Sequence, residues 1–450
     1  MSRPRAQARP DARADTRARR SPVLSRRLSN GLTVLLRPVR SAPIVSVWCW
    51  YAVGSADEAP GATGMAHWLE HMNFKGTPRF SKREMKNLIE KRGGYWNGYT
   101  WIDQTTYFET LPKDHLDLAL ELESERMGRS LISPAEFESE RTVILSELRG
   151  GENDPETLLD REVTAAAFHQ HGYRWPTVGW EADIRRITRK EMVGFYRANY
   201  VPSNAALVIV GDIDPAETMR KVRRLFGRLP KRERPARAGA SEGPQKGERR
   251  VGIEGAGRTS YVHVVHRAPA VGEDEAPVLL LLDAVLGGAK GINLWSSDSE
   301  VRRSSPLYQR LVAPGLAAEA RSFYIPTRDP FLHAISLTAG EGVSVRALEE
   351  ALLALLDEAA SRAPAARALR KAKNQLRATT VFQSDSVTEL AHQIGYFHTI
   401  GNGAFFEGFL DRVERVTAGE VRDLAARIFR PANRTVGVYA ARGEGKGRRR

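Results

Sequence analysis

The sequence predicts an α+β chain of two homologous domains, each a mostly antiparallel sheet with helices packed on it. Three observations carry that prediction: an internal duplication, a linker between the copies, and strand and helix patterns that mix without the strict alternation of a doubly wound sheet. The duplication is clearest near the end of each half. Ile187-Thr188-Arg189-Lys190-Glu191-Met192 leads to Tyr200-Val201-Pro202-Ser203-Asn204 and an apolar run over residues 207–210. Val416-Thr417-Ala418-Gly419-Glu420-Val421 leads to Phe429-Arg430-Pro431-Ala432-Asn433 and a second apolar run over residues 436–439. A single offset of 229 residues aligns Thr188 with Thr417, Glu191 with Glu420, Pro202 with Pro431 and Asn204 with Asn433. Each copy reads as a T-x-x-E capping box opening a helix, a P-x-N turn and an apolar strand.

Between the copies, residues 230–250 are rich in Pro, Gly, Lys, Arg and Glu and nearly free of large apolar side chains, the composition of a linker. The expected organisation is therefore a basic tail over 1–22, a first domain over 23–229, the linker over 230–250, a second domain over 251–441 and a basic tail over 442–450. In the first domain, strand patterns occupy residues 32–36 and 45–53. Helical patterns follow over 81–92, 116–129 and 134–148. The second domain opens with a strand over 261–266 and continues with helices over 277–286 and 345–360.

The formal charge of +14 suggests a nucleic-acid binder until it is located. Residues 1–22 carry +5 of it and residues 442–450 another +4, which leaves +5 for the whole body. The tails read as solvated arms and no basic folded face is implied, so no specific nucleic-acid partner is expected. No apolar run approaches the ~20 residues that span a bilayer, and no apolar segment follows the basic N-terminus as in a secretory signal. The sole cysteine, Cys49, lies in an apolar run, so disulfides within the chain are excluded. Together these point to a cytoplasmic protein.

The chemistry concentrates in His67-Trp68-Leu69-Glu70-His71. If residues 64–76 are helical, His67 and His71 lie one turn apart on one face, where two imidazoles can bind one ion. Glu70 lies near the same face, where a carboxylate can take a proton from a metal-activated water. The order H-x-x-E-H is the inverse of the commoner metalloprotease motif. A catalytic zinc site needs a third protein ligand and an open position. Residues 137–147 offer Glu140 and Glu147, two turns apart along one helix face. Spacing alone favours two solvated glutamates on a charged helix over a pair aimed into a cleft. The duplication supplies an internal control. Glu58-Ala59-Pro60 matches Glu275-Ala276-Pro277 at an offset of 217, which puts Ala284, Gly287 and Gly288 where His67, Glu70 and His71 stand. Only the first half has the motif.

The stretch His67-Trp68-Leu69-Glu70-His71-Met72-Asn73-Phe74-Lys75-Gly76-Thr77 resembles the inverted zinc motif of the M16 peptidase family, which includes pitrilysin, insulinase and the mitochondrial processing peptidases. In that family a distal glutamate ligand follows the second histidine at about 76 positions, which is the separation of Glu147 from His71. Further matches are Gly93-Gly94, Asn97, Thr100, Asp103, Thr105, Tyr107 and the segment Leu390-Ala391-His392-Gln393-Ile394-Gly395. The resemblance spans about residues 25–440. It implies one Zn²⁺ per chain held by His67, His71 and Glu147, with Glu70 as general base and Glu140 orienting a ligand. It further implies that Asn97, Gly98, Tyr99 and Thr100 form an edge strand that holds an extended peptide substrate by β-addition. Gly98 stands where the family usually has alanine.

The implied activity is zinc-dependent endopeptidase action on peptides or unfolded segments. One departure bears on partners. Active relatives use an Arg and a Tyr from their second half, and the aligned run Val312-Ala313-Pro314-Gly315-Leu316-Ala317-Ala318 has Val312 and Ala318 at those places. The expectation is a heterodimer in which a homologous subunit without the motif supplies the Arg/Tyr pair, or otherwise a homodimer. The alternative is a non-peptidase core subunit of a complex.

Other residues read as structural. His169 and His171 sit in a loop before Trp175-Pro176, and His263 and His266, three apart in a strand, face opposite ways. The glycine-rich run over 251–257 lacks the lysine of a phosphate loop. Trp68, Trp96 and Trp101 shape either core or an apolar pocket.

Overall fold

The computed structural model describes residues 22–234, 236–237, 241–292 and 301–442. The expected basic tails, apart from Pro22 and Arg442, lie outside the described residues. Two sheets organise the chain. The first comprises β1 (Leu24–Arg27), β2 (Thr33–Pro38), β3 (Ile44–Tyr51), β4 (Tyr95–Thr100), β5 (Thr105–Pro112) and β6 (Ala205–Gly211), in the order β1-β2-β6-β3-β5-β4. The second comprises β7 (Arg249–Ala256), β8 (Tyr261–Arg267), β9 (Ala317–Phe323), β10 (Leu332–Ala339) and β11 (Arg434–Arg442), in the order β7-β11-β8-β10-β9. Without β1, the two sheets have the same strand order. The directions match as well: β2/β6 and β7/β11 are the parallel pairs and the others are antiparallel.

The first half carries helices α1 (Met65–Met72), α2 (Lys82–Glu90), α3 (Leu116–Arg129), α4 (Pro134–Glu152), α5 (Pro155–Ala167), α6 (Glu181–Arg186), α7 (Arg189–Asn199) and α8 (Pro215–Phe226). The second carries α9 (Ala276–Gly287), α10 (Val345–Ser361), α11 (Ala366–Gln383), α12 (Val387–Thr399), α13 (Gly403–Arg415) and α14 (Ala418–Ile428). The duplicated signature has one cause in both copies. Thr188 and Thr417 form capping boxes with Glu191 and Glu420 at the starts of α7 and α14. Asn204 then donates to the carbonyl of Asn199 (3.0 Å), and Asn433 to that of Ile428 (2.9 Å). Each asparagine of the P-x-N turn thus satisfies an orphan carbonyl of the helix before it.

The halves exchange a helix. β3 alternates Val45, Val47, Cys49 and Tyr51 towards its own half's helices with Trp48 and Trp50 on the opposite face. That opposite face is covered by α12 of the second half. In return, α5 of the first half lies on β7, β8 and β11, with Leu159 and Val163 buried against Val265 and Tyr439. Both crossings need a glycine. A Cβ on Gly395 of α12 would lie 1.9 Å from Trp50 Nε1, and one on Gly437 of β11 would lie 2.1 Å from Val163 Cγ2. The apolar run of β3 is continuous because both its faces are buried, one by each half.

Two expectations change. The helix expected over residues 64–76 stops at Met72. Asn73 turns its side chain inward to donate to the Tyr107 hydroxyl (2.8 Å), and Gly76 (φ 117°) reverses the chain into a bridge with Ser81. The linker is anchored over its described part: Glu242 accepts the backbone N–H groups of His169, Gln170 and His171, and Gln245 donates to the carbonyl of Arg434. Among the described residues no helix is long and apolar enough to cross a membrane.

Candidate metal centre

Helix α1 is aimed from its start. The Glu58 carboxylate accepts the N–H groups of Gly64 (2.7 Å) and Ala66 (2.6 Å), which satisfies orphan donors at the helix N-terminus. Its inner face buries Met65, Trp68, Leu69 and Met72, leaving His67 and His71 partly exposed on the other side. Trp68 stacks on Phe137 of α4 with ring centroids 4.4 Å apart, and the Arg141 guanidinium lies over the same indole. That contact fixes which face of α4 meets α1. Glu140 and Glu147, three and ten residues after Phe137, lie on that face and come to the histidines.

The donor atoms converge. Nε2 of His67 lies 3.6 Å from Oε1 of Glu147, and Nε2 of His71 lies 3.8 Å from Oε2 of the same carboxylate. One donor atom from each of the three residues lies within 4.8 Å of the others. Tetrahedral zinc with bonds of about 2.0–2.2 Å sets its ligand atoms about 3.4 Å apart, so small side-chain adjustments suffice to seat the ion. The donor set also fits in chemistry. Burial, with the His71 charge adding to it, pulls the His67 imidazole down to about 3 and keeps it a neutral donor. The Glu147 side chain is 51% exposed, so the cluster opens to solvent on one side, as a position for water or substrate requires.

Glu140 occupies the layer behind. Its Oε1 lies 2.9 Å from Nδ1 of His71, and its Oε2 pairs with the Lys75 ammonium. Burial works against the charge of Glu140, but the hydrogen bonds to His71 and Lys75 outweigh it and hold the carboxyl at about 2. An ionised Glu140 fixes the proton of His71 on Nδ1 and leaves Nε2 as the donor. Burial also opposes protonation of His71, yet Glu140, Glu70 and Glu147 together raise its pKa. His67 has no comparable support: its Nδ1 is buried without a hydrogen-bond partner among the described residues.

Glu70 is buried beside this cluster. Burial pushes its carboxyl up to about 7, against the proximity of Thr100 and the charge of His71; the Thr100 hydroxyl donates to that of Thr105 (3.3 Å). A dication alongside would pull the same group back down. Thr100 ends β4, so the edge strand of the first sheet ends beside the carboxylate. All of Asn97, Gly98, Tyr99 and Thr100 lie on β4, which pairs with β5 on one side and is the last strand of its sheet on the other. At Gly98 a Cβ would lie 2.9 Å from Tyr107 and 3.0 Å from Phe74, so the usual alanine would be tight here. The Tyr99 hydroxyl lies 2.7 Å from Nε2 of His392 on α12, which ties the edge strand to the second half.

Two participants, Lys75 and His392, are given no role by sequence reasoning. Lys75 sits inside the motif segment, but nothing in spacing says that its ammonium turns back to Glu140. Thr100 is expected from the resemblance as a substrate-strand residue, without its proximity to Glu70. His392 belongs to a matched segment that has no stated role. The remaining histidines are structural. His171 Nδ1 accepts the Tyr173 N–H (3.2 Å), and His263 faces Asp160 while His266 packs edge-on against Phe429, on opposite sides of β8.

The fold and site therefore define a two-domain α+β protein with a His/His/Glu cluster capable of binding a metal ion in its first half. Residues 33–179 match the family model described as Insulinase (Peptidase family M16), and residues 186–376 match that described as Peptidase M16 inactive domain. The chain belongs to the M16 family. It is 29% identical over 336 residues to the zinc protease PqqE of Helicobacter pylori, across 74% of this chain and 73% of that protein. It is 26% identical over 407 residues to mitochondrial-processing peptidase subunit beta of Blastocladiella emersonii, across 89% of this chain and 84% of that protein. Among solved structures, that of a protease from Helicobacter pylori superposes with a TM-score of 0.87 at 25% identity, covering 93% of this chain and 99% of that one.

Proposed function

We propose that the chain is a zinc-dependent endopeptidase, with residues 23–229 as its catalytic domain and residues 251–441 as a non-catalytic support. The observation that carries this reading is the meeting of three elements: donors of His67, His71 and Glu147 within 4.8 Å, the buried Glu70, and the open edge of β4, which ends beside Glu70 at Thr100. A Zn²⁺ ion held by the three donors would supply Lewis acidity towards a scissile carbonyl and its attacking water.

The remaining steps belong to the chain. An extended peptide adds to the free edge of β4 at residues 97–100, which sets its carbonyls in register with the cluster. Glu70 takes the proton of the water whose oxygen joins the carbonyl carbon. It passes that proton to the leaving nitrogen as the C–N bond breaks. Glu140 and Lys75 keep His71 in one tautomer throughout, so no proton needs to move in the supporting layer. Extended or unfolded polypeptide fits this geometry, because strand addition needs backbone groups free of other pairing.

The catalytic unit we propose is a heterodimer with a homologous subunit that lacks the motif. The supporting observation is on the second half. Val312 ends a short helical turn (Tyr308–Val312) with its side chain partly packed on the core, and Ala318 is exposed on the edge strand β9. Neither position offers a guanidinium or a phenol to a bound peptide. The name of one relative, a processing peptidase subunit beta, is that of one subunit among others.

Hydrolysis of a quenched fluorescent peptide library tests both statements. The chain alone is compared with the chain plus a homologous motif-free subunit, with Glu70→Gln as the control in each. Activity that requires the partner and disappears with Glu70→Gln is expected. Full activity of the isolated chain would remove the heterodimer while keeping the peptidase. No activity in either mixture with one zinc bound per chain would favour a core-subunit role.

A further inference from the structure

A cavity of about 790 Å³ lies at the base of α4, away from the His/Glu cluster. It is walled by the end of α3, the segment 130–133, α7 and residues 229–232. Its lining holds Arg129, Arg189, Arg197 and Arg232 and no aspartate or glutamate. Arg129 is paired with Glu125, but Arg189, Arg197 and Arg232 have no carboxylate within 4.0 Å among the described residues. Two of these heads are held in place by the wall itself. Arg189 donates through Nε to the carbonyl of Ile132, and Arg232 through Nη1 to that of Arg197 (3.0 Å). Each guanidinium keeps further N–H groups for a ligand. A smaller cavity in the second half, of about 280 Å³, shows the contrast. Its Arg267, Arg427 and Arg430 are accompanied by Glu242, Glu273 and Glu275, so its charge is balanced within the wall.

The rest of the lining is mixed, with Leu131, Val193 and Leu229 beside Ser130, Ser133, Tyr196 and Tyr200. Leu131 is 46% exposed and forms the apolar part of the lining with Val193 and Leu229. Arg189, Arg197 and Arg232 are exposed to solvent, and gathered cations without a counter-charge concentrate a positive potential in a concave space. Planar guanidinium groups match carboxylate and phosphate oxygens in pairs. The volume lies within the roughly 300–1,000 Å³ of small-molecule pockets. We propose that this cavity binds a small amphiphile with one anionic head, a carboxylate or a phosphate monoester, seated on Arg189, Arg197 and Arg232 with its apolar body against Leu131, Val193 and Leu229. The site does not depend on the peptidase reading.

Isothermal titration of the full zinc-loaded chain with decyl phosphate, with decanoate and with inorganic phosphate tests it. Saturable binding of one amphiphile per chain is expected, at least tenfold tighter than inorganic phosphate. Whichever of decyl phosphate and decanoate binds tighter identifies the head group. The triple variant Arg189→Gln, Arg197→Gln, Arg232→Gln should weaken binding at least tenfold. Because Arg189 also bonds the backbone, Leu131→Asp provides an independent variant. It sets a negative charge at an exposed wall position and should weaken binding to a similar degree with an unchanged melting midpoint. No saturable binding of either amphiphile, equal affinity for inorganic phosphate, or binding unmoved by Leu131→Asp would each overturn the proposal.

Discussion

Helices α1 and α9 occupy corresponding places in the two halves, and their polar surroundings are opposite in kind. Around α1, donors are left unsaturated: His67, His71 and Glu147 face one another across a gap open to solvent. Beside α9, the buried Asp283 is closed on itself. It accepts from Lys290 Nζ (2.9 Å) and pairs with His333 Nε2 (3.1 Å), and Lys290 also donates to Ser322 on β9 (2.5 Å). Similar parts stand at different positions: an acid on the helix, a lysine after it and a hydroxyl on the edge strand, with Asp283 opposite Ala66 and Lys290 opposite Asn73 at the offset of 217. In the first half the lysine is directed to Glu140 and not to Glu70. In the second half the lysine neutralises the helix acid itself. A duplicated fold can thus use one helix for chemistry in one copy and for cohesion in the other, the difference being whether the charges are satisfied internally.

The largest effect that would break this comparison is at Glu70. Glu70→Gln should lower kcat/KM by about 10³-fold or more while one zinc per chain is retained, as read from peptide hydrolysis and metal analysis. Unchanged turnover would place α1 with α9 as mere structure.

Next is Asp283→Asn, which leaves Lys290 buried without its charge partner and should cost about 3 kcal/mol of stability at neutral pH. Burial pushes the Asp283 carboxyl up, but Lys290 and His333 outweigh it and hold the group well below the usual range. A depressed folded pKa means that the stabilisation is complete above about pH 4, the ordinary aspartate value, and is lost as pH falls below it. The gap in melting midpoint between wild type and Asp283→Asn should therefore narrow as pH is lowered from 6 towards 3. A gap independent of pH would show that the charge is not what holds the cluster.

Lys75→Met sharpens the comparison from the other side. It should weaken zinc binding by about 10–100-fold in chelator competition, because Glu140 loses the charge that keeps it ionised against His71. The smallest effect belongs to Tyr99→Phe. Loss of its bond to His392, about 1 kcal/mol, should raise KM for long peptides several-fold with kcat little changed.

Much of this was legible without coordinates. The capping boxes and P-x-N turns at 188–204 and 417–433 marked the duplication because helix and turn signals depend on neighbours a few residues away. The helix over 116–129 was bounded correctly for the same reason. The helix supposed over 64–76 stops at Met72, because the chain turns at Gly76 (φ 117°) to bridge Ser81, a contact that no periodic pattern gives. His67 and His71 form a pair by helical spacing alone. Glu147 needed the resemblance, since its approach to them depends on the stacking of Trp68 on Phe137.

What the sequence determined by itself is local and periodic: two copies of one α+β unit, the placement of a histidine pair and a carboxylate on one helix, and their absence from the other copy. What only the tertiary structure decided are the contacts made across long separations. These are the exchange of α5 and α12 between the halves, the turn of Lys75 to Glu140 rather than Glu70, the approach of Thr100 to the candidate base, and the gathering of Arg189, Arg197 and Arg232 around one cavity. The physical reason is common to all four. Hydrogen bonds and charge pairs act over a few ångströms, and only the packing of the apolar faces determines which distant residues come that close.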